Sequence, residues 1–112
     1  MSEKNDKVVA ETSSSSSKPP SSRLPDNLTL QHAARLSISE DKAIMMDYWL
    51  NSLEKKCSIG LREATSEKLL FKSAEEYTSC ISKFYKVAGE YIIVTENSIY
   101  IIANDIPTRR IS

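Results

Sequence analysis

Only two glycines, one histidine and two cysteines occur in 112 residues, and fifteen Lys+Arg balance fifteen Asp+Glu, leaving no formal net charge. Each scarcity excludes something. A neutral chain has no overall field with which to wrap a polyanion. Two glycines leave little with which to build a phosphate-cradling loop, and one histidine with two cysteines argues against a zinc cluster or a His-based catalytic centre. No apolar run approaches the roughly 20 residues needed to cross a bilayer, and the opening MSEKNDKVVAETSSSS lacks the apolar core of a signal peptide. The expectation is an intracellular protein, cytoplasmic or nuclear, that is neither secreted nor membrane-bound.

What is there is unevenly distributed. Residues 1–37 contain 10 apolar residues and residues 38–112 contain 35 of 75, so the capacity to bury surface lies in the second segment, and the globular domain is expected at 38–112. Within the first, residues 11–23 read ETSSSSSKPPSSR; serine and proline offer too little side chain to offset the entropy of ordering the backbone. Residues 1–37 therefore read as a disordered Ser/Pro-rich arm, either a plain solubilising tail or a phosphorylation tract. Near 27–36, DNLTLQHAARL carries Leu28, Ala33 and Leu36 at loose helical spacing after a cap at Asp26 or Asn27.

Inside the domain, residues 39–56 (SEDKAIMMDYWLNSLEKK) read as a helix. Ser39 is the candidate cap, Glu40 and Asp41 suit its first turn, Lys55 and Lys56 suit its last, and Ala43, Met46, Leu50, Leu53 and Cys57 form one stripe with Trp49 alongside. The competing pattern makes 43–50 a strand. Short β-rich runs follow at 58–62, 68–72 and 80–87, the last alternating imperfectly at Ile81 and Phe84-Tyr85. Residues 90–95 (EYIIVT) and 98–103 (SIYIIA) are two β-branched runs around Glu96-Asn97, the signature of a hairpin. The expected fold is α+β: one helix on a four- or five-stranded antiparallel sheet ending in that hairpin, with an all-β small barrel as the alternative.

Chemistry-bearing residues are sparse. His32 lies outside the expected domain with no ligand-spaced neighbour. Cys57 and Cys80 are 23 positions apart and lack a histidine to serve as base, so they read as buried thiols. Glu75-Glu76 reads as a solvated face rather than an acid/base pair. Arg109-Arg110-Ile111-Ser112 has the spacing of a basophilic kinase site, though two guanidiniums could equally grip a phosphate; the plainer reading is a solvated end with Ile111 turned back to the core. No catalytic residue, metal, cofactor or small-molecule substrate is expected.

Two binding classes remain. Both hairpin arms are apolar at nearly every position, more surface than one helix covers. A non-catalytic interaction or assembly protein would bind a protein partner or a second copy by strand addition there, through Tyr91, Ile93, Ile99, Tyr100 and Ile101. The alternative is a sheet that binds single-stranded nucleic acid through Lys83, Tyr85, Lys86, Tyr91, Arg109 and Arg110, with rings stacking on bases and cations on phosphates. Residues 38–112 hold 10 Lys+Arg against 11 Asp+Glu, so such binding would rest on placement rather than net charge.

Overall fold

The computed structural model of the chain describes residues 23–111. The serine run and the rest of 1–22, together with Ser112 of the Arg-Arg-x-Ser motif, lie outside the described residues. Helix α1 (Asn27–Glu40) comes first, followed by β1 (Ile44–Met45), the short helix α2 (Trp49–Leu53), β2 (Ser58–Arg62), β3 (Glu67–Ser73), β4 (Glu76–Val87), β5 (Glu90–Thr95), β6 (Ile99–Ala103) and β7 (Thr108–Arg110). No helix among the described residues is long and apolar enough to cross a membrane.

The Asp26 side chain caps α1 by accepting from the Leu28 N–H at 2.8 Å. The helix stops at Asp41, which takes the left-handed conformation (φ 56°, ψ 49°) and donates its N–H to the Ser37 carbonyl. Glu40 and Asp41, expected to open a helix over 39–56, instead close the preceding one. Residues 43–50 form neither that helix nor one continuous strand: Ile44 and Met45 pair with β6, and Trp49 starts a separate turn of helix. Thr29 and Ala33 of α1 are sealed against the sheet, so packing begins upstream of Ile38.

The sheet is seven-stranded and mixed, in the order β1-β6-β5-β4-β3-β2-β7, which overturns the four- or five-stranded antiparallel arrangement. Strands β2 to β6 form an antiparallel meander; β1 joins β6 and β7 joins β2 in parallel. These outer strands have two and three residues, too few for any periodicity to reveal. The barrel alternative is also corrected, because β1 and β7 end the order and do not pair.

The sheet must nevertheless curl. β6 and β7 are five steps apart in the order, about 24 Å if laid flat, whereas the chain from Ala103 to Thr108 reaches at most about 17 Å. Curling encloses one core cluster of Tyr48, Cys57, Ile59, Leu70, Ile93, Ile102 and Ile106. A second cluster, Ala33, Trp49, Ile92, Val94, Ile99 and Ile101, lies between the other face of β5–β6 and α1.

One buried polar knot ties the first described residues to the sheet. The Glu90 side chain is 3 % exposed. It accepts from the Asp26 N–H at 3.1 Å, the Thr29 hydroxyl at 2.5 Å and the Arg23 guanidinium at 3.3 Å. The same guanidinium lies 5.2 Å above the Trp49 ring, whose Nε1–H donates to the Arg23 carbonyl at 2.7 Å.

Candidate functional site

The hairpin residues expected to line a partner surface occupy the interior. Ile99 and Ile101 belong to the cluster under α1, Ile93 to the cluster enclosed by the curl, and Tyr91 and Tyr100 pack against that same cluster. Tyr100 meets Tyr48 edge-on at 5.4 Å between ring centres. The edge of β6 is occupied as well. β1 pairs along Ile99 and Tyr100, and the Ala103 N–H donates to the buried Ser52 hydroxyl at 2.9 Å. Both faces and the outer edge of the 91–103 ribbon are thus covered from within the chain.

The nucleic-acid set is scattered. Lys83 and Tyr85 stand opposite Val94 and Ile92, on the α1 face, whereas Lys86 stands opposite Tyr91 on the other. Lys83 is engaged by the Glu40 carboxylate at the end of α1. Arg109 and Arg110 sit on β7, the last strand of the order; Arg110 pairs with Glu63 at 2.9 Å and the Arg109 guanidinium lies 5.7 Å over the Phe71 ring. These six residues form no single surface.

Exposure is concentrated instead along β4. Residues 82–86 are five consecutive exposed positions inside a strand, with Phe84 at 42 %. Among the described residues, neither face of this stretch is covered by another element, and the registers show that one of its edges is open as well. β4 pairs with β3 through Glu76, Tyr77 and Cys80, then outruns it and pairs with β5 through Ile81 and residues 83–87. Beyond Ser82 its other side has no strand beside it among the described residues.

The direction of the backbone groups follows from one bond. The Thr95 N–H donates to Ser98 O at 2.9 Å, so Thr95, Ile93 and Tyr91 turn toward β6, and Val94, Ile92 and Glu90 turn toward β4. Their partners Lys83, Tyr85 and Val87 therefore turn toward β5, and Phe84 and Lys86 direct N–H and C=O outward. Two donors and two acceptors stand in a row on an open edge.

Beside that edge lies a groove of about 700 Å³ lined by Ser66, Glu67, Lys68, Cys80, Ile81, Ser82, Lys83 and Phe84. Its apolar lining is Ile81, which packs on the inner cluster, and Phe84, whose ring lies 4.5 Å from that of Tyr91; the Cys80 thiol and serine, lysine and glutamate side chains supply the rest. Burial and the nearby Glu67 carboxylate push the Cys80 thiol up, and burial pushes Cys57 up to about 11 against a weaker opposing pull from Lys72. Neither is primed as a nucleophile. The hydrogen bond from Lys83 holds the Glu40 carboxyl below its usual value. His32 is exposed on α1.

A second exposed feature was not evident from the sequence. On the β2–β3–β4 half, Phe71 and Tyr77 stack at 6.4 Å, with the Arg62 guanidinium 5.8 Å over Tyr77 and Arg109 over Phe71. Next to them a smaller groove of about 310 Å³ is lined by Lys55, Lys56, Lys72 and Arg109. Its three lysines already face carboxylates: Lys55 with Asp105 at 2.6 Å, Lys56 with Glu54 at 3.4 Å and Lys72 with Glu76 at 3.0 Å. No protein-family model, curated protein or solved structure matches the chain.

Proposed function

We propose that this protein is a non-catalytic interaction domain that binds a protein by adding one extended strand to the open stretch of β4. The observation that carries the reading is the run of exposed residues 82–86, in which the edge groups of Phe84 and Lys86 have no strand neighbour among the described residues. Main-chain bonds to such an edge supply affinity, and side-chain pockets beside it supply selectivity. The groove lined by Ile81 and Phe84 would serve as such a pocket. Binding there requires no cofactor, metal or small-molecule substrate.

The test is a fluorescence titration with labelled extended peptides of alternating apolar and polar residues. Saturable binding is expected, little weakened by salt because backbone and apolar contacts are poorly screened, and lost in Lys86→Pro. Proline at 86 removes an outward N–H and leaves the ladder to β5 intact. Peptides that bind both proteins equally, or neither, would defeat the reading.

The stacked Phe71–Tyr77 pair supports a second reading, in which single-stranded nucleic acid lies across β3 and β4. Bases would stack on the two rings and phosphates would meet Arg62, Arg109 and the lysine groove. This reading instead requires oligonucleotide affinity that falls steeply as salt rises.

A further inference from the structure

We infer that the strand received by β4 is the β4 of a second copy of this chain, related by a two-fold axis through Tyr85; this rests on the strand-addition reading and names its occupant. Antiparallel pairing of two identical strands brings residues of equal backbone direction opposite each other. Phe84 and Lys86 are the outward residues, and the register that uses all four of their groups sets Phe84 of each copy against Lys86 of the other. Four main-chain hydrogen bonds result. In that register Tyr85 faces Tyr85, Phe84 faces Lys86 and Lys83 faces Val87, so aromatic and cation–aromatic pairs form and no like charges meet.

The ends of the open stretch fit the same axis. Along β4 the groove runs from Cys80 to Phe84, the five positions before Tyr85. The β4–β5 turn, Ala88 and Gly89, follows it by three and four. A two-fold through Tyr85 carries each turn into the groove of the other copy. Both turn residues are exposed, and a Cβ added at Gly89 would meet no atom within 4 Å, so the smallest pair of residues in the hairpin enters the space left where β3 stops. In this register Ala88 and Gly89 of each copy stand opposite Ser82 and Ile81 of the other, two of the residues that line the groove, and an isologous contact makes the same fit twice.

Light scattering after size exclusion, on the full chain over a concentration series, should show the mass rising from one chain toward two, with little response to salt. Lys86→Pro deletes two of the four bonds and should raise the dissociation constant about tenfold or more without moving the unfolding transition. Should that variant unfold, Phe84→Pro removes the other outward N–H and takes its place. In a Cys80→Ser background, Tyr85→Cys should form a disulfide-linked dimer under mild oxidation. Its position is a non-hydrogen-bonded pair, within disulfide reach, whereas Lys83→Cys should not link. A single-chain mass at every concentration would overturn the second copy and leave strand addition to the peptide titration. A dimer indifferent to the proline variants, or one linked through Lys83→Cys instead, would place the association elsewhere and overturn it equally.

Discussion

A carboxylate withdrawn from water persists only where donors replace its hydration, and Glu90 meets three, from Asp26, Thr29 and Arg23. Glu90→Ala leaves the Thr29 hydroxyl and the Asp26 N–H without that acceptor at the start of α1. It should cost about 3 kcal/mol by urea unfolding. Glu90→Gln keeps an acceptor and should cost less; a loss no larger for Ala than for Gln would show the knot to be unimportant. None of this was legible beforehand, because in sequence Glu90 is a polar residue opening a β-branched run, and its partners lie 61 to 67 positions away. Ala88 was equally hidden. It holds φ at 53° beside a glycine that does not take a positive φ, although the left-handed region favours glycine.

At the scale of elements, α1 is held at both ends, by Glu90 at its start and by Lys83 at its finish. The Lys83 ammonium lowers the Glu40 carboxyl from 4.5, and Glu40 raises Lys83 from 10.5. The contact therefore stabilises most between those limits. The Glu40 share is present above pH 4.5 and lost as pH falls through the lowered value; the Lys83 share is present below pH 10.5 and lost as pH rises through the raised one. Carboxyl NMR should show Glu40 titrating below 4.5 in the native protein and close to it in Lys83→Met, with the amides at the end of α1 less protected, relative to their intrinsic exchange, at the acid end. Equal titration in both proteins would mean that the pair is not formed in solution.

Which elements could be read depended on how much information lay within each. The two runs that became β5 and β6 are rich in β-branched residues and joined by a short turn, so local pattern sufficed. The irregular alternation at Ile81 and Phe84-Tyr85 was a true signal, since the β4–β5 register shifts between Ile81 and Lys83. Residues 39–56 misled because acidic residues suit the start of one helix as well as a left-handed stop to another. The open edge at Phe84 and Lys86 arises from the unequal lengths of β3 and β4 and from where they meet, which no single run encodes.

For the molecule as a whole, the expected surplus of apolar ribbon is present and is covered from within the chain. α1 seals one face of β5–β6, and the curl of the sheet seals the other. What remained open was the second half of the longest strand. Strand order was beyond reach of local pattern, because two short parallel strands decide it and each finds its partner about 50 residues away. The remaining uncovered features, the Phe71–Tyr77 stack and the cationic groove, lie on the half of the sheet that α1 does not cover.

Those distant parallel pairings also set the order in which the chain can reach its native state. Strands β2 to β6 meet through successive short connections, whereas β1 and β7 must each close a loop of about 50 residues before a single bond rewards it. The Ile99 amide donates to Ala43 O at 2.9 Å and the Ile111 amide to Leu61 O at 3.1 Å, so these two protons report on the late events. In pulse-labelled refolding they should gain protection after the amides between β5 and β6; simultaneous protection would mean that the meander and its outer strands condense together.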